Sequence, residues 1–101
     1  MSLLGDKQKQ FPPMVAKLIL FAYEQGYQMT FGDAFAKTGH KADSNHYVKL
    51  AIDLNLFKNG VYLTKTEDHK QLGEFWESIG GSWGGRFNDG NHYSIEYMGS
   101  R

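Results

Sequence analysis

The stretch Leu50-Ala-Ile-Asp-Leu-Asn-Leu-Phe57 decides how this chain folds. Leu50, Ile52, Leu54 and Leu56 recur with a period of two, the spacing that sends alternate side chains of a strand to one face. Ala51, Asp53, Asn55 and Phe57 fall on the other face. The leucine face should pack against helices, and the opposite face should present Asp53 to a cleft. Asn59-Gly60 follows at once, a strong hairpin-turn signal. Val61-Tyr-Leu63 is then a short returning strand.

Working outward toward the N-terminus, residues 11–25 read as a first helix. Pro12 and Pro13 fit its start, where a missing N–H does no harm. Val15, Leu18, Ile19 and Ala22 share one helical face, and Gly26 is the expected C-cap. Residues 27–36 alternate loosely and read as a strand; residues 37–45 are polar with a glycine and read as a loop. Toward the C-terminus, Thr64 with Glu67 fits a capping box, with Thr66 a competing N-cap. Leu72, Phe75, Trp76 and Ile79 give the second helix its apolar face, and Gly80-Gly81 ends it. Residues 83–91 form a glycine-rich shaped loop. From His92 the chain alternates again, with His92, Ser94 and Glu96 on one face and Tyr93, Ile95 and Tyr97 on the other. Hairpin-linked strands with two helices predict a single α+β domain over residues 1–101. Its central antiparallel sheet should pack against both helices, with the cleft on its other face.

The composition narrows the chemistry. With 41% hydrophobic and 22% charged residues, the 101-residue chain has an ordinary globular make-up. Its formal net charge is zero, so no basic field points to nucleic acid or anionic lipid. No secretory leader and no apolar run of about 20 residues is apparent. The run from Met14 to Tyr23 is too short to span a membrane and is broken by Lys17. A monomer without membrane insertion is expected. Cysteine is absent, so any metal site must use His, Asp and Glu.

His46, Asp53 and His92 are the candidate ligands of one zinc ion. His46 and Asp53 stand seven positions apart, and neither a regular strand nor a regular helix brings them to one ion. Zinc ligands lie about 2 Å from the metal. His46 is therefore expected before the strand, on a loop or turn, and Asp53 inside it. Two histidines and one carboxylate, with a fourth position for water, form a catalytic pattern rather than a closed structural one. Asp89, three residues before His92, is placed to carry a proton to and from the reaction. Gly90 would permit the tight backbone that this spacing needs. On spacing alone, surface histidines and a solvated strand aspartate account for the same residues. His40 and His69 carry only that ordinary reading.

Ser44-x-His46-x6-Asp53 with Asp89-x-x-His92 resembles the zinc D-alanyl-D-alanine carboxypeptidase and phage L-alanyl-D-glutamate peptidase family. The phage endolysin branch is the closer likeness. It is carried by residues 50–57, Tyr62-Leu-Thr64, Leu72-Gly-Glu-Phe-Trp-Glu-Ser78, Trp83-Gly-Gly-Arg-Phe87 and Asp89-Gly-Asn-His92. The likeness spans roughly residues 30–96; the combination is specific and no single piece is. It implies zinc on His46, Asp53 and His92, and Asp89 as acid and base. The implied substrate is a peptide bond near a D-residue in the stem peptide of bacterial peptidoglycan. Phage members made in the host cytoplasm without a signal peptide reach the wall through membrane holes opened by another protein. The family usually carries an arginine for the oxyanion where this chain has Ala36. Lys37 or Arg86 is then the substitute donor, with Ser44 at the turn beside His46. Three outcomes stay open: an endopeptidase, a carboxypeptidase trimming terminal D-alanine, and a non-catalytic relative that binds metal or wall peptide.

Overall fold

The computed structural model describes residues 3–32 and 50–97. They form helix α1 (Leu3–Glu24), strands β1 (Gln28–Phe31), β2 (Ala51–Lys58) and β3 (Val61–Leu63), helix α2 (Lys70–Ser78), and strands β4 (Ser82–Trp83) and β5 (His92–Ser94). The sheet is antiparallel throughout, in the order β1-β2-β5-β4, with β3 also paired to β2. This is the α+β architecture expected, with the leucine-rich strand at its centre.

β2 alternates as its sequence requires. Ile52, Leu54 and Leu56 enter a core shared with Phe11, Val15, Leu18 and Ala22 of α1 and Leu72 and Trp76 of α2. Both helices therefore lie on the leucine face. Asp53, Asn55 and Phe57 are only partly covered on the other. One edge of β2 carries β1 along Leu54 to Phe57. The opposite edge forks: β5 takes Ala51 to Asp53, and β3 takes Leu56 to Lys58. Asn59 and Gly60 both have positive φ, 53° and 78°. That is the type I′ geometry which matches the twist of a two-residue hairpin.

Several boundaries differ from the sequence reading. α1 begins at Leu3, with Pro12 and Pro13 inside it rather than at its start. The reason lies in its buried stripe, Phe11, Val15, Leu18 and Ala22. Phe11 precedes the prolines yet packs edge-on against the Trp76 ring, at 5.9 Å between centroids. Lys7 Nζ also donates to the Glu96 carbonyl, pinning the added turns. Both proline rings are exposed, so neither disturbs the packed face. β1 is shorter than the stretch 27–36, and residues 33–36 lie outside the described ones. α2 is entered through a 3-10 turn, Thr66–His69. The Asp68 carboxylate, not that of Glu67, accepts the Lys65 N–H at 3.0 Å. β5 keeps only its first three residues, and Ser94, expected on an open polar face, is fully buried. No described helix is long and apolar enough to cross a membrane.

Two tryptophans fix how α2 meets the sheet. A Cβ on Gly73 would lie 2.0 Å from the Trp83 ring, and one on Gly81 would lie 2.1 Å from the Trp76 ring. Each indole sits against a backbone that has no side chain. In an open helix, glycine to alanine gains about 1 kcal/mol. At Gly73 overlap with a buried ring outweighs that gain, and Gly73→Ala should destabilise the fold by about 1–3 kcal/mol or more. Urea unfolding checks this; an unchanged or higher midpoint would mean that Trp83 is not seated on Gly73.

Candidate active site

β2 and β5 bring Asp53 opposite His92 in register. The ladder bonds on either side run from Leu54 N to Asn91 O and from Ile95 N to Leu50 O, at 2.9 and 3.0 Å. By the alternation of an antiparallel pair, Asp53 and His92 occupy a non-hydrogen-bonded position, where side chains approach most closely. Their Oδ1 and Nδ1 atoms are 3.4 Å apart. His92 is buried, and the Asp53 side chain keeps 20% of its exposure. On the other side of Asp53 stands Gly32, whose N–H donates to the Asp53 carbonyl at 2.7 Å. A Cβ there would crowd Asp53 Cβ to 3.1 Å. A carboxylate is thus flanked by the imidazole of β5 on one side and, just past β1, by a residue without a side chain on the other.

The spacing Asp89-x-x-His92 is one backbone turn. The Asp89 carbonyl accepts the His92 N–H at 3.1 Å, and the Asp89 N–H donates to the Gly84 carbonyl at 2.9 Å. Asn88 enters this turn with φ 62°. Gly84 lies beneath it, where a Cβ would meet the Asp89 carbonyl at 2.1 Å and His92 Cβ at 2.7 Å. Gly90 is needed for close approach rather than for an unusual φ. A Cβ there would lie 2.5 Å from Thr66 Cα, and its N–H donates to Thr66 Oγ1 at 3.1 Å. Thr66 therefore holds the loop instead of capping the helix. Trp83 closes the turn by donating its indole N–H to the Gly90 carbonyl at 2.8 Å. Asp89 is exposed and lines a cleft at the fork of β2, with Asn55, Tyr62, Thr64, Thr66 and His69 among its walls.

The other candidates divide. Arg86 donates through Nε to Glu77 Oε2 at 3.0 Å, and through a terminal nitrogen to Glu77 Oε1. This fork ties the glycine-rich loop to the end of α2. His46, Ser44, Lys37 and Ala36, like His40, lie outside the described residues. Among the described residues no group of three His, Asp or Glu side chains is placed to hold a metal.

His69 carries no local signal of a special role, yet it is 2% exposed and its Nδ1 lies 2.7 Å from the Tyr93 hydroxyl. Burial raises the Tyr93 phenol well above its usual pKa, so Tyr93 stays protonated and shares one hydrogen bond with the imidazole. Only the long-range contact of the 3-10 turn before α2 with β5 reveals this pair; no local pattern could have. Burial also pushes the His69 imidazole down from 6.5 to about 4, against the opposing pull of Asp68. Between those values the unfolded chain binds a proton that the folded chain refuses. The contribution of His69 to stability is therefore whole above pH 6.5 and falls away as pH drops toward about 4. The loss is on the order of 3 kcal/mol. Urea unfolding across this range should show a steeper loss for the native chain than for His69→Gln; equal slopes would refute the assignment.

Residues 37–95, more than half of the chain, match the family described as D-alanyl-D-alanine carboxypeptidase. The matched span contains Lys37, Ser44, His46, Asp53, Arg86, Asp89 and His92, and leaves out α1. No curated protein matches the chain. With its central strand, its facing Asp53 and His92 and its glycine-rich turn all inside the matched span, the chain belongs to the D-alanyl-D-alanine carboxypeptidase family of peptidoglycan peptidases.

Proposed function

We propose that the protein is a zinc-dependent peptidoglycan peptidase of the endolysin kind. It would hydrolyse an L-Ala-D-Glu type bond in the stem peptide of the bacterial wall, acting there after release from the host cytoplasm. The observation that carries this reading is the close pairing of Asp53 with His92, one backbone turn from an exposed Asp89. A carboxylate and an imidazole are the ligand types left to zinc in a chain without cysteine. They meet on the sheet face that the helices do not cover. His46 would supply the third ligand. It stands four residues before Leu50, a length of chain that reaches at most about 14 Å. Zinc held by these residues would acidify water and polarise a carbonyl.

The chain's own residues do the rest. Asp89, open to the cleft, accepts the proton of the attacking water and returns it to the departing amine. The Asp89 carbonyl, bonded to the His92 N–H, holds acid and ligand in fixed relation. Charge for the oxyanion falls to Lys37 or Arg86 in place of an arginine at Ala36. Arg86 is already engaged by Glu77, which favours Lys37 as the donor and leaves Arg86 chiefly to brace the loop. Ser44 would shape the turn that carries His46.

The family's own description favours a second reading, a carboxypeptidase that trims terminal D-alanine. Mass spectrometry of digested muropeptides separates the two by the bond cleaved. Purified wall treated with zinc-loaded protein should release new amino groups. Asp89→Ala should lower that rate by about 10²–10⁴ with zinc content unchanged. Asp53→Ala and His92→Ala should lose zinc and activity together. Undiminished hydrolysis by Asp89→Ala would overturn its role. Bound zinc with no hydrolysis, and no gain on Ala36→Arg, would point instead to a non-catalytic, wall-binding relative.

A further inference from the structure

Asn55 stands two residues beyond Asp53 on the same face of β2, roughly 7 Å along the strand. It also lines the fork cleft that holds Asp89. It is the residue common to the metal-ligand face and the cleft. Its amide is held from both sides: Nδ2 donates to Thr30 Oγ1 at 3.3 Å, and Oδ1 accepts from the Tyr62 hydroxyl at 3.4 Å. Tyr62 is itself stacked on Phe57, with ring centroids 5.0 Å apart. Thr30 and Tyr62 come from β1 and β3, so three strands fix one side-chain amide. An amide has two N–H donors and an oxygen with two lone pairs. Among the described residues these two bonds leave one donor and one acceptor site, the complement of a peptide unit.

We infer that Asn55 is a substrate-binding residue whose amide hydrogen-bonds the backbone of the stem peptide as it leaves the scissile bond and enters the fork cleft. This rests on the peptidase reading and specifies which surface holds the substrate. The physical case is preorganisation. A side chain already held by Thr30 and Tyr62 loses little rotamer freedom when the peptide binds. Beside it the cleft walls offer Thr64, Thr66 and a neutral His69, uncharged polar groups suited to peptide backbone, while Lys65 and Asp89 are the charged side chains of the cleft.

The test uses full-length protein and a soluble stem peptide cut from purified peptidoglycan. In the Asp89→Ala protein, the Asn55 side-chain amide resonances should shift as the peptide is added. In zinc-loaded protein, Asn55→Ala should raise KM about tenfold, the effect of losing one to two peptide hydrogen bonds, with kcat within about twofold and zinc content unchanged. Tyr62→Phe, which frees the amide without removing it, should raise KM less. Peptide binding that leaves the Asn55 resonances unmoved would overturn the inference while the peptidase reading stands; this measurement needs no substitution at Asn55 itself. An unchanged KM in folded Asn55→Ala would do the same. If the native chain neither binds nor cleaves the stem peptide, both readings fall together.

Discussion

The closeness of Asp53 and His92 depends on one register, that of β2 against β5. Side chains on a strand alternate, so a slip of one residue would send one of the two into the core and the other outward. β5 is only three residues long, too short to fix that register by its own ladder. The tryptophans supply the missing constraint. Trp76 donates its indole N–H toward the Ser94 and Ser82 carbonyls, and Trp83 donates to that of Gly90. These bonds bracket β5 at both ends. Each indole reaches its partner because Gly73, Gly81 and Gly85 leave room for the rings. Glycines that look like a flexible loop in the sequence are seats for aromatic rings.

The same economy governs the turn before His92. Gly84 and Gly90 are both places where a side chain would strike backbone, of Asp89 in one case and of Thr66 in the other. The loop lies pressed between β5 and the 3-10 turn that leads into α2. Arg86 reaches out of it to Glu77 and lies 5.6 Å from the Trp83 ring. An exposed pair of this kind adds little stability by itself, but it acts on a loop already fixed by buried contacts.

Much of this was legible in the chain. The leucine period of β2, the Asn59-Gly60 hairpin, the apolar face of α2 and the glycines that end both helices follow from local rules, and each stands where those rules put it. What escaped was set by distant partners. α1 runs on past its prolines because Phe11 finds Trp76. Asp68 rather than Glu67 caps the turn because that turn is 3-10, and Thr66 is drawn off to Gly90. Ser94 is buried although its strand alternates. His69 has the sequence setting of an ordinary helix-start residue, but Tyr93 lies against it. Asp53, Asp89 and His92 could be singled out from residue type and spacing; that Asp53 and His92 face each other across adjacent strands could not.

The forked edge of β2 also bears on the order in which the fold assembles. β3 joins that edge through a two-residue hairpin, a closure available within microseconds. β5 must instead return from beyond α2, after the whole second half of the chain has been gathered in, and long loops delay such pairings. The half of the strand that carries Asp53 therefore acquires its neighbour last. A chain in which β5 has not docked leaves Asp53 and His92 apart. The candidate site is thus a reporter of complete folding, formed only when the most distant contact in the sheet has closed.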